Sequence, residues 1–291
     1  MLDEAVSYLI NSPKGIFIDC TFGQGGHSKE ILKRIDKHSK LFGFDLDSEA
    51  KESSTKIPNP NFKFIQDNFK NIGDYFKEES VDGILVDCGV SSPQLDNLSR
   101  GFSFKGNANL DMRFGESVNR SCKEIVNTYS EKDLKRIFKD YGDENYSAKI
   151  ARKIIIERDK SEITTTNQLV DIIVSVKRIR KKIHPATQVF QALRMEVNDE
   201  IKNLQSCIEA SKKILKRGGS LVVISFHSLE DKVVKGAFKY LNKPHEREIP
   251  LTKDKIEPPE YKMSKIFTPK QKEIDFNPRS RSSKLRVIKK L

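Results

Sequence analysis

Four short apolar stretches, three of them ending on an aspartate, alternate with helical patterns through the first ninety or so residues of this 291-residue chain. "GIFIDC" (15–20), "KLFGFD" (40–45), "FKFIQ" (62–66) and "DGILVDC" (82–88) read as strands. Between them "SKEILKRIDK", "SEAKESSTK" and "NIGDYFKEE" read as helices. Such alternation implies parallel pairing, right-handed crossovers and helices on both faces of one sheet. The expected fold class is therefore α/β, a Rossmann-like and mostly parallel sheet. Sheets of this kind bind ligands beyond the carboxyl ends of their strands, which is where Asp19, Asp45 and Asp87 fall.

The pattern changes after "VDCGVSSPQLD". Residues 103–183 carry little strand signal and break into short helical pieces such as "EKDLKRIFKDYG" and "NYSAKIARKIIIERD". An inserted helical domain that recognises substrate is expected there, dividing the sheet domain into residues 1–102 and 184–291. Phe190, Leu193, Val197, Ile201, Leu204, Ile208 and Leu215 then recur at helical spacing and predict one long amphipathic helix, stopped at "KRGG". "SLVVISFHS" (220–228) predicts a fifth buried strand followed by a helix, and "NPRSRSSKLRVIKKL" predicts an edge strand in a basic tail.

Composition narrows the setting. No apolar run approaches the roughly 18 residues of a membrane span, and the opening "MLDEAVSYL" lacks the layout of a secretory signal. Four scattered cysteines without a C-x-x-C pair point to a reducing cytoplasm and away from a structural zinc site. The net charge is +12 but uneven: 12 basic against 16 acidic residues in 1–102, 18 against 12 in 103–183, and 15 against 7 in 239–291. Either the surface is simply lysine-rich and solvated, or the middle and tail, including the cluster at 177–182, face a polyanion such as nucleic acid.

"DCTFGQGGHS" joins the first strand to the following helix. Glycine in such a turn permits positive φ and close approach of a ligand to the backbone, and the N–H groups opening the helix face that ligand. No Gly-Lys-Ser/Thr follows, so the loop is not a P-loop, and the dinucleotide pattern G-x-G-x-x-G is not completed. What remains is Asp19-x-x-x-Gly23-x-Gly25-Gly26, with Asp45 22 residues beyond Gly23 at the next strand end, where an acid can hold both hydroxyls of a ribose. This arrangement resembles the first two motifs of the class I S-adenosylmethionine-dependent methyltransferases.

A more specific resemblance covers nearly the whole chain. "FGQGGHS", "DCGVSSPQLD", "RGFSF", "LDMR", "HPATQVFQALRMEVNDEI", "SFHSLED" and "NPRSRSSKLR" stand in the order of the signature blocks of the MraW-type ribosomal RNA small subunit methyltransferase H family. The chain departs from that family's pattern in starting just after a His-x-Pro-Val segment and in carrying Asn107-Ala108-Asn109 before "LDMR". The resemblance implies transfer of a methyl group from S-adenosyl-L-methionine to N4 of a cytidine at the decoding site of 16S rRNA, with the small ribosomal subunit as partner and no membrane or metal required. It implies that Gly25, Gly26 and His27 line the methionine end of the cofactor, that Asp45 holds the ribose, that Phe69 packs on the adenine beside Asp67, and that Asp87 and Gln94 complete the pocket. Asp87, Ser92 and the backbone carbonyl near Pro93 are the expected acceptors for the target amine. His227 is expected at the substrate, with a capping hydrogen bond as the alternative. The assembly stays open between a monomer and a homodimer. Two other readings remain: a DNA amino-methyltransferase, against which the full Asp-Pro-Pro-aromatic tetrad is missing, and a nucleotide-binding ribosome-assembly module without catalysis.

Overall fold

A computed structural model describes residues 1–177, 184–239 and 259–291 of the chain. They form two compact units, Met1–Gly89 with Ile201–Leu291, and Val90–Glu200. The second unit is wider on both sides than the 103–183 segment marked by the sequence pattern. Val90 and Leu95 before it, and Val189, Phe190, Leu193 and Val197 after it, all pack on its core.

The first unit opens with α1 (Leu2–Leu9), β1 (Ile16–Asp19), α2 (Gly26–Arg34), β2 (Lys40–Phe44), α3 (Ser48–Ser54), β3 (Phe62–Ile65), a 3-10 turn (Phe69–Asp74) and β4 (Val81–Asp87). The second unit contributes α4 (Ser92–Asp96), α5 (Cys122–Thr128), α6 (Glu131–Asp140), α7 (Ser147–Arg158), α8 (Thr166–Val176) and α9 (Thr187–Val197). The chain then returns through α10 (Glu200–Ile214), β5 (Leu215–Ser225), α11 (Ser228–Phe238), β6 (Tyr261–Met263), α12 (Gln271–Phe276) and β7 (Lys284–Lys290).

The seven strands form one sheet in the order β3-β2-β1-β4-β5-β7-β6. The first five are parallel; β7 runs antiparallel to both β5 and β6. This is the mostly parallel α/β sheet expected from the sequence. Side-chain alternation along the strands separates its two faces. Ile18, Ile84, Val86, Leu221 and Val223 point into one apolar layer with Leu204, Ile208 and Val234. Phe17, Leu85, Val222 and Ile224 point into the other with Val6, Leu9 and Ile31. Strands buried on both faces read as nearly continuous apolar runs, which is what made them visible in the sequence.

Two expectations need correction. β7 is an inner strand: Tyr261–Met263 pairs outside it, anchored by the buried ring of Tyr261, whose hydroxyl donates to Lys212 O at 3.1 Å. The long amphipathic helix is two helices. Asp199 takes a left-handed backbone (φ 48°) between α9 and α10. Asn198 spends its side chain across the second unit, donating from Nδ2 to Met112 O and accepting from Phe114 N, both at 2.8 Å. Leu215, the last residue of the predicted stripe, begins β5.

The second unit builds its core from Leu134, Ile137, Phe138, Ile150, Ile154, Leu169 and Ile173, one face from each of α6, α7 and α8. Capping boxes open α5 (Ser121 with Glu124) and α8 (Thr165 with Gln168), as their spacing allows. Of the basic cluster at 177–182, Lys177 donates to the fully buried carboxylate of Glu144 at 2.6 Å, and residues 178–183 lie outside the described residues. No helix among the described residues is long and apolar enough to cross a membrane.

Candidate active site

The glycine loop is held by the strand ends beneath it. Gly23 (φ 53°) donates its N–H to Asp45 Oδ2 at 2.8 Å, and Asp47 N donates to Asp45 Oδ1 at 3.0 Å. Phe22 N donates to Phe44 O at 2.9 Å, and Asp87 N donates to Thr21 Oγ1 at 2.8 Å, so β2 and β4 both fix the loop that leaves β1. The three glycines then differ in kind. Gly25 is the left-handed N-cap of α2 (φ 73°, ψ 23°), and a Cβ there would stand 2.8 Å from Phe22 Cζ and 2.9 Å from Ile57 Cδ1. The turn itself demands that glycine. Gly26, the first residue of α2, has no heavy atom within 4 Å of where its Cβ would lie. The space over Gly26 is free for a ligand.

Beside that space lies a cluster of ionisable groups. Asp19 is fully buried; it accepts from Ser28 Oγ at 2.7 Å and Thr21 N at 3.3 Å. Burial pushes its carboxyl above the ordinary carboxylate range, against the pull of His27 and these hydrogen bonds. His27 Nδ1 stands 3.8 Å from Asp87 Oδ2. The other oxygen, Asp87 Oδ1, is buried without a hydrogen-bond partner among the described residues. Burial lifts the Asp87 carboxyl to about 6; His27 and the chain's amino terminus oppose the shift, while Asp19 and Glu230 reinforce it. Burial likewise lifts Asp45 to about 6, against its hydrogen bonds from Asp47 and Gly23. A buried carboxylate oxygen with no donor is a costly arrangement that an arriving N–H group relieves.

The remaining expected residues are distributed as follows. Phe69 opens the 3-10 turn and packs, half-buried, against the sheet core. Asp67 is occupied locally, accepting from Asn68 N at 2.6 Å, Asn71 Nδ2 at 3.0 Å and Tyr75 OH at 2.8 Å. His227 follows β5 and caps α11: Glu230 N donates to its Nδ1 at 3.4 Å, while the Glu230 carboxylate accepts from Phe226 N at 2.7 Å. His227 Nε2 lies 2.9 Å from Glu230 Oε1 but is not aligned with it as a hydrogen bond. Ser92, Pro93 and Gln94 belong to the second unit, in the first turn of α4. There Gln94 is buried and closes a capping box, its Oε1 accepting from Ser91 N at 2.9 Å. Within the sheet unit the structure brings Gly25, Gly26, His27, Asp45 and Asp87 to the ends of β1, β2 and β4, with His227 at the end of neighbouring β5.

Sequence reasoning did not single out Thr21, Ser28 or Glu230. Ser28 had a legible signal: it lies on the first turn of the helix that starts at the loop, within reach of a strand-end acid. Glu230 had another, an acid three residues after a cap residue.

The model of the MraW methylase family matches residues 1–291, the whole chain. The chain belongs to that family. A ribosomal RNA small subunit methyltransferase H from Caldicellulosiruptor saccharolyticus is 42% identical over 306 residues, covering 100% of this chain and 98% of that protein. One of the same description from Clostridium botulinum (strain Loch Maree) is 43% identical over 305 residues, covering 100% and 97%. The residues of this MraW methylase fit a cofactor of the S-adenosylmethionine type: open space over Gly26 and a carboxylate, Asp45, at the end of β2.

Proposed function

We propose that this chain transfers a methyl group from S-adenosylmethionine to N4 of one cytidine in the decoding region of 16S rRNA, on an assembled or nearly assembled small subunit. The full-length match to proteins described as small subunit rRNA methyltransferases supports the RNA class. The observation that carries the chemistry is the buried, unpartnered Oδ1 of Asp87 beside the glycine loop. S-adenosylmethionine, when bound, supplies an electrophilic methyl group on a sulfonium.

The chain's residues do the rest. The N4 amine of cytosine is conjugated with its ring, so its lone pair is a poor nucleophile, and no side-chain base removes its proton outright. An acceptor that holds an amine hydrogen returns electron density to nitrogen and stabilises the positive charge that develops there. Asp87 is that acceptor, ionised above about 6, and it takes the proton released as the N–C bond forms. Gly25, Gly26 and His27 hold the methionine end, Asp45 the ribose and Phe69 the adenine. His227 acts as a positioning residue through Glu230. Holding amine and methyl in line lowers the barrier by several kcal/mol by proximity alone. A ribosomal substrate makes the enzyme cytoplasmic.

The test offers labelled S-adenosylmethionine with small subunits, free 16S rRNA and DNA in parallel to wild type and to Asp87→Asn. Label entering rRNA with wild type, and far more slowly with Asp87→Asn at equal cofactor occupancy, is the expected result. Label entering only DNA would favour the amino-methyltransferase reading, and label in neither would favour a non-catalytic module.

A further inference from the structure

Phe276, the last residue of α12, is 92% exposed, where the next most exposed large apolar residue among the described residues, Tyr75, reaches 47%. Burying a phenylalanine ordinarily stabilises a fold by about 1.5–3 kcal/mol, and this ring forgoes nearly all of it. It is not on a loose loop. Asn277 N donates to Glu273 O at 2.7 Å to close the helix, Arg279 N donates to Asn277 Oδ1 at 3.2 Å, and Ser280 Oγ donates to Asn277 O at 2.7 Å. Ser280 and Ser283 are buried beneath this corner. The ring is therefore held out by a fixed, hydrogen-bonded support.

The surroundings are cationic. Lys270, Lys272, Arg279 and Arg281 are exposed along the same segment, and Lys272 lies one helical turn before Phe276, on its face of α12. Of the two acids nearby, Glu273 pairs with the amino group of Met1, while Asp275 stays exposed, accepting from Gln271 Nε2 at 2.8 Å, so the exposed cations outnumber it. A second copy of the chain is a poor match for this feature, because a stable protein interface needs about 800 Å² per partner around an apolar centre. Here the exposed residues beside the ring along the chain, Lys272, Asp275, Asn277 and Arg279, are polar, with Pro278 the exception. An unpaired nucleobase needs only one face of one ring, with cations placed for the flanking phosphates.

We propose that Phe276, flanked by Lys272, Arg279 and Arg281, is a stacking platform for one unpaired base of the RNA substrate, holding the strand outside the methyl-transfer site. This rests on the RNA reading above and adds a contact to it. The chain contains no tryptophan, so Phe276→Trp installs a lone fluorescent reporter at the platform. Its emission is expected to be quenched by a single-stranded oligoribonucleotide of roughly twelve nucleotides and not by a duplex of the same length. Phe276→Ala is expected to bind the single strand about 5- to 150-fold more weakly, the range for loss of one base–aromatic stack. Phe276→Leu should do no better, and all three variants should melt as wild type does.

The platform is overturned if a labelled oligonucleotide binds Phe276→Trp without quenching, or if leucine restores full affinity. Concentration-dependent dimerisation lost in Phe276→Ala would assign the ring to a second copy instead. A wild type that methylates rRNA alongside an equally active, equally tight Phe276→Ala would sink the platform alone. A wild type that binds no RNA would remove the RNA reading and the platform together.

Discussion

Valine in place of Gly26 separates the ligand's space from the protein's. Gly26 opens α2, and no heavy atom lies within 4 Å of its would-be Cβ. The folded protein therefore meets no clash, and removing a glycine from a helix relieves part of its roughly 0.5–1 kcal/mol entropic handicap. Stability should stay within about 1 kcal/mol of wild type. A ligand lying over that position must be pushed aside, and forcing extra methyl groups into a filled space costs about 1–3 kcal/mol. Calorimetric titration should show S-adenosylmethionine bound roughly 5- to 150-fold more weakly, a fold-change that follows from those energies at 298 K. Gly25→Ala is the internal control with the opposite signature. Its left-handed φ of 73° alone opposes a Cβ by about 1–2 kcal/mol. Contacts of 2.8 and 2.9 Å with Phe22 and Ile57 add overpacking of about 1–3 kcal/mol. At roughly 2–4 °C per kcal/mol for a domain of this size class, its melting temperature should fall by some 4–20 °C. Undiminished cofactor affinity in Gly26→Val, with its fold intact, refutes the assignment of that space to the ligand.

Other outcomes follow from the same geometry. Asp45→Ala should weaken S-adenosylmethionine by about 1.5–3 kcal/mol, the scale of a hydrogen bond to a charged group, with turnover at saturating cofactor little changed; normal affinity with dead chemistry would overturn the ribose role. Because burial raises the Asp87 carboxyl to about 6, the folded state holds its proton more tightly than the unfolded chain does. Its contribution to stability is therefore most favourable at low pH and declines as pH rises from about 4 to about 6. Methyl transfer should climb through about pH 6, half-maximal there, and level off roughly one unit higher, and Asp87→Asn should melt higher than wild type at neutral pH while transferring methyl slowly. A rate flat across this range, or a lower melting point for Asp87→Asn, counts against the acceptor role. Arg286 and Asp231 form a buried pair, Nε to Oδ1 at 2.5 Å, between β7 and α11. Arg286→Met should destabilise by about 3–5 kcal/mol by stranding the carboxylate, and the double replacement with Asp231→Leu should recover most of that loss in denaturant unfolding.

The parts of the fold legible in the sequence are those set by local periodicity. β1, β2, β4 and the centre of β5 are buried on both faces, so their apolar runs carried both their existence and the positions of Asp19, Asp45 and Asp87. Tertiary partners decided what was not legible. Nothing local separates Gly25 from Gly26; Phe22 and Ile57 do. α9 and α10 share one unbroken apolar stripe, and the break between them comes from Asn198 reaching Met112 and Phe114, more than eighty residues earlier. β7 looked like an edge because its partner β6 has only three residues, too few for a periodic signal. The family motifs marked His227, yet its capping of α11 is a matter of helix phase. That capping was open as an alternative and is what the geometry displays.

Nucleoside mass spectrometry of 16S rRNA tests the central claim most directly. Small subunits from a strain lacking this gene would be incubated with the purified protein and isotope-labelled S-adenosylmethionine, and the rRNA then digested in parallel to nucleosides, to identify the labelled group, and to oligonucleotide fragments, to map its position. Label is expected in one N4-methylated cytidine at a single site in the decoding region. Label at another atom, on another nucleoside, or nowhere in the 16S rRNA would contradict the claim.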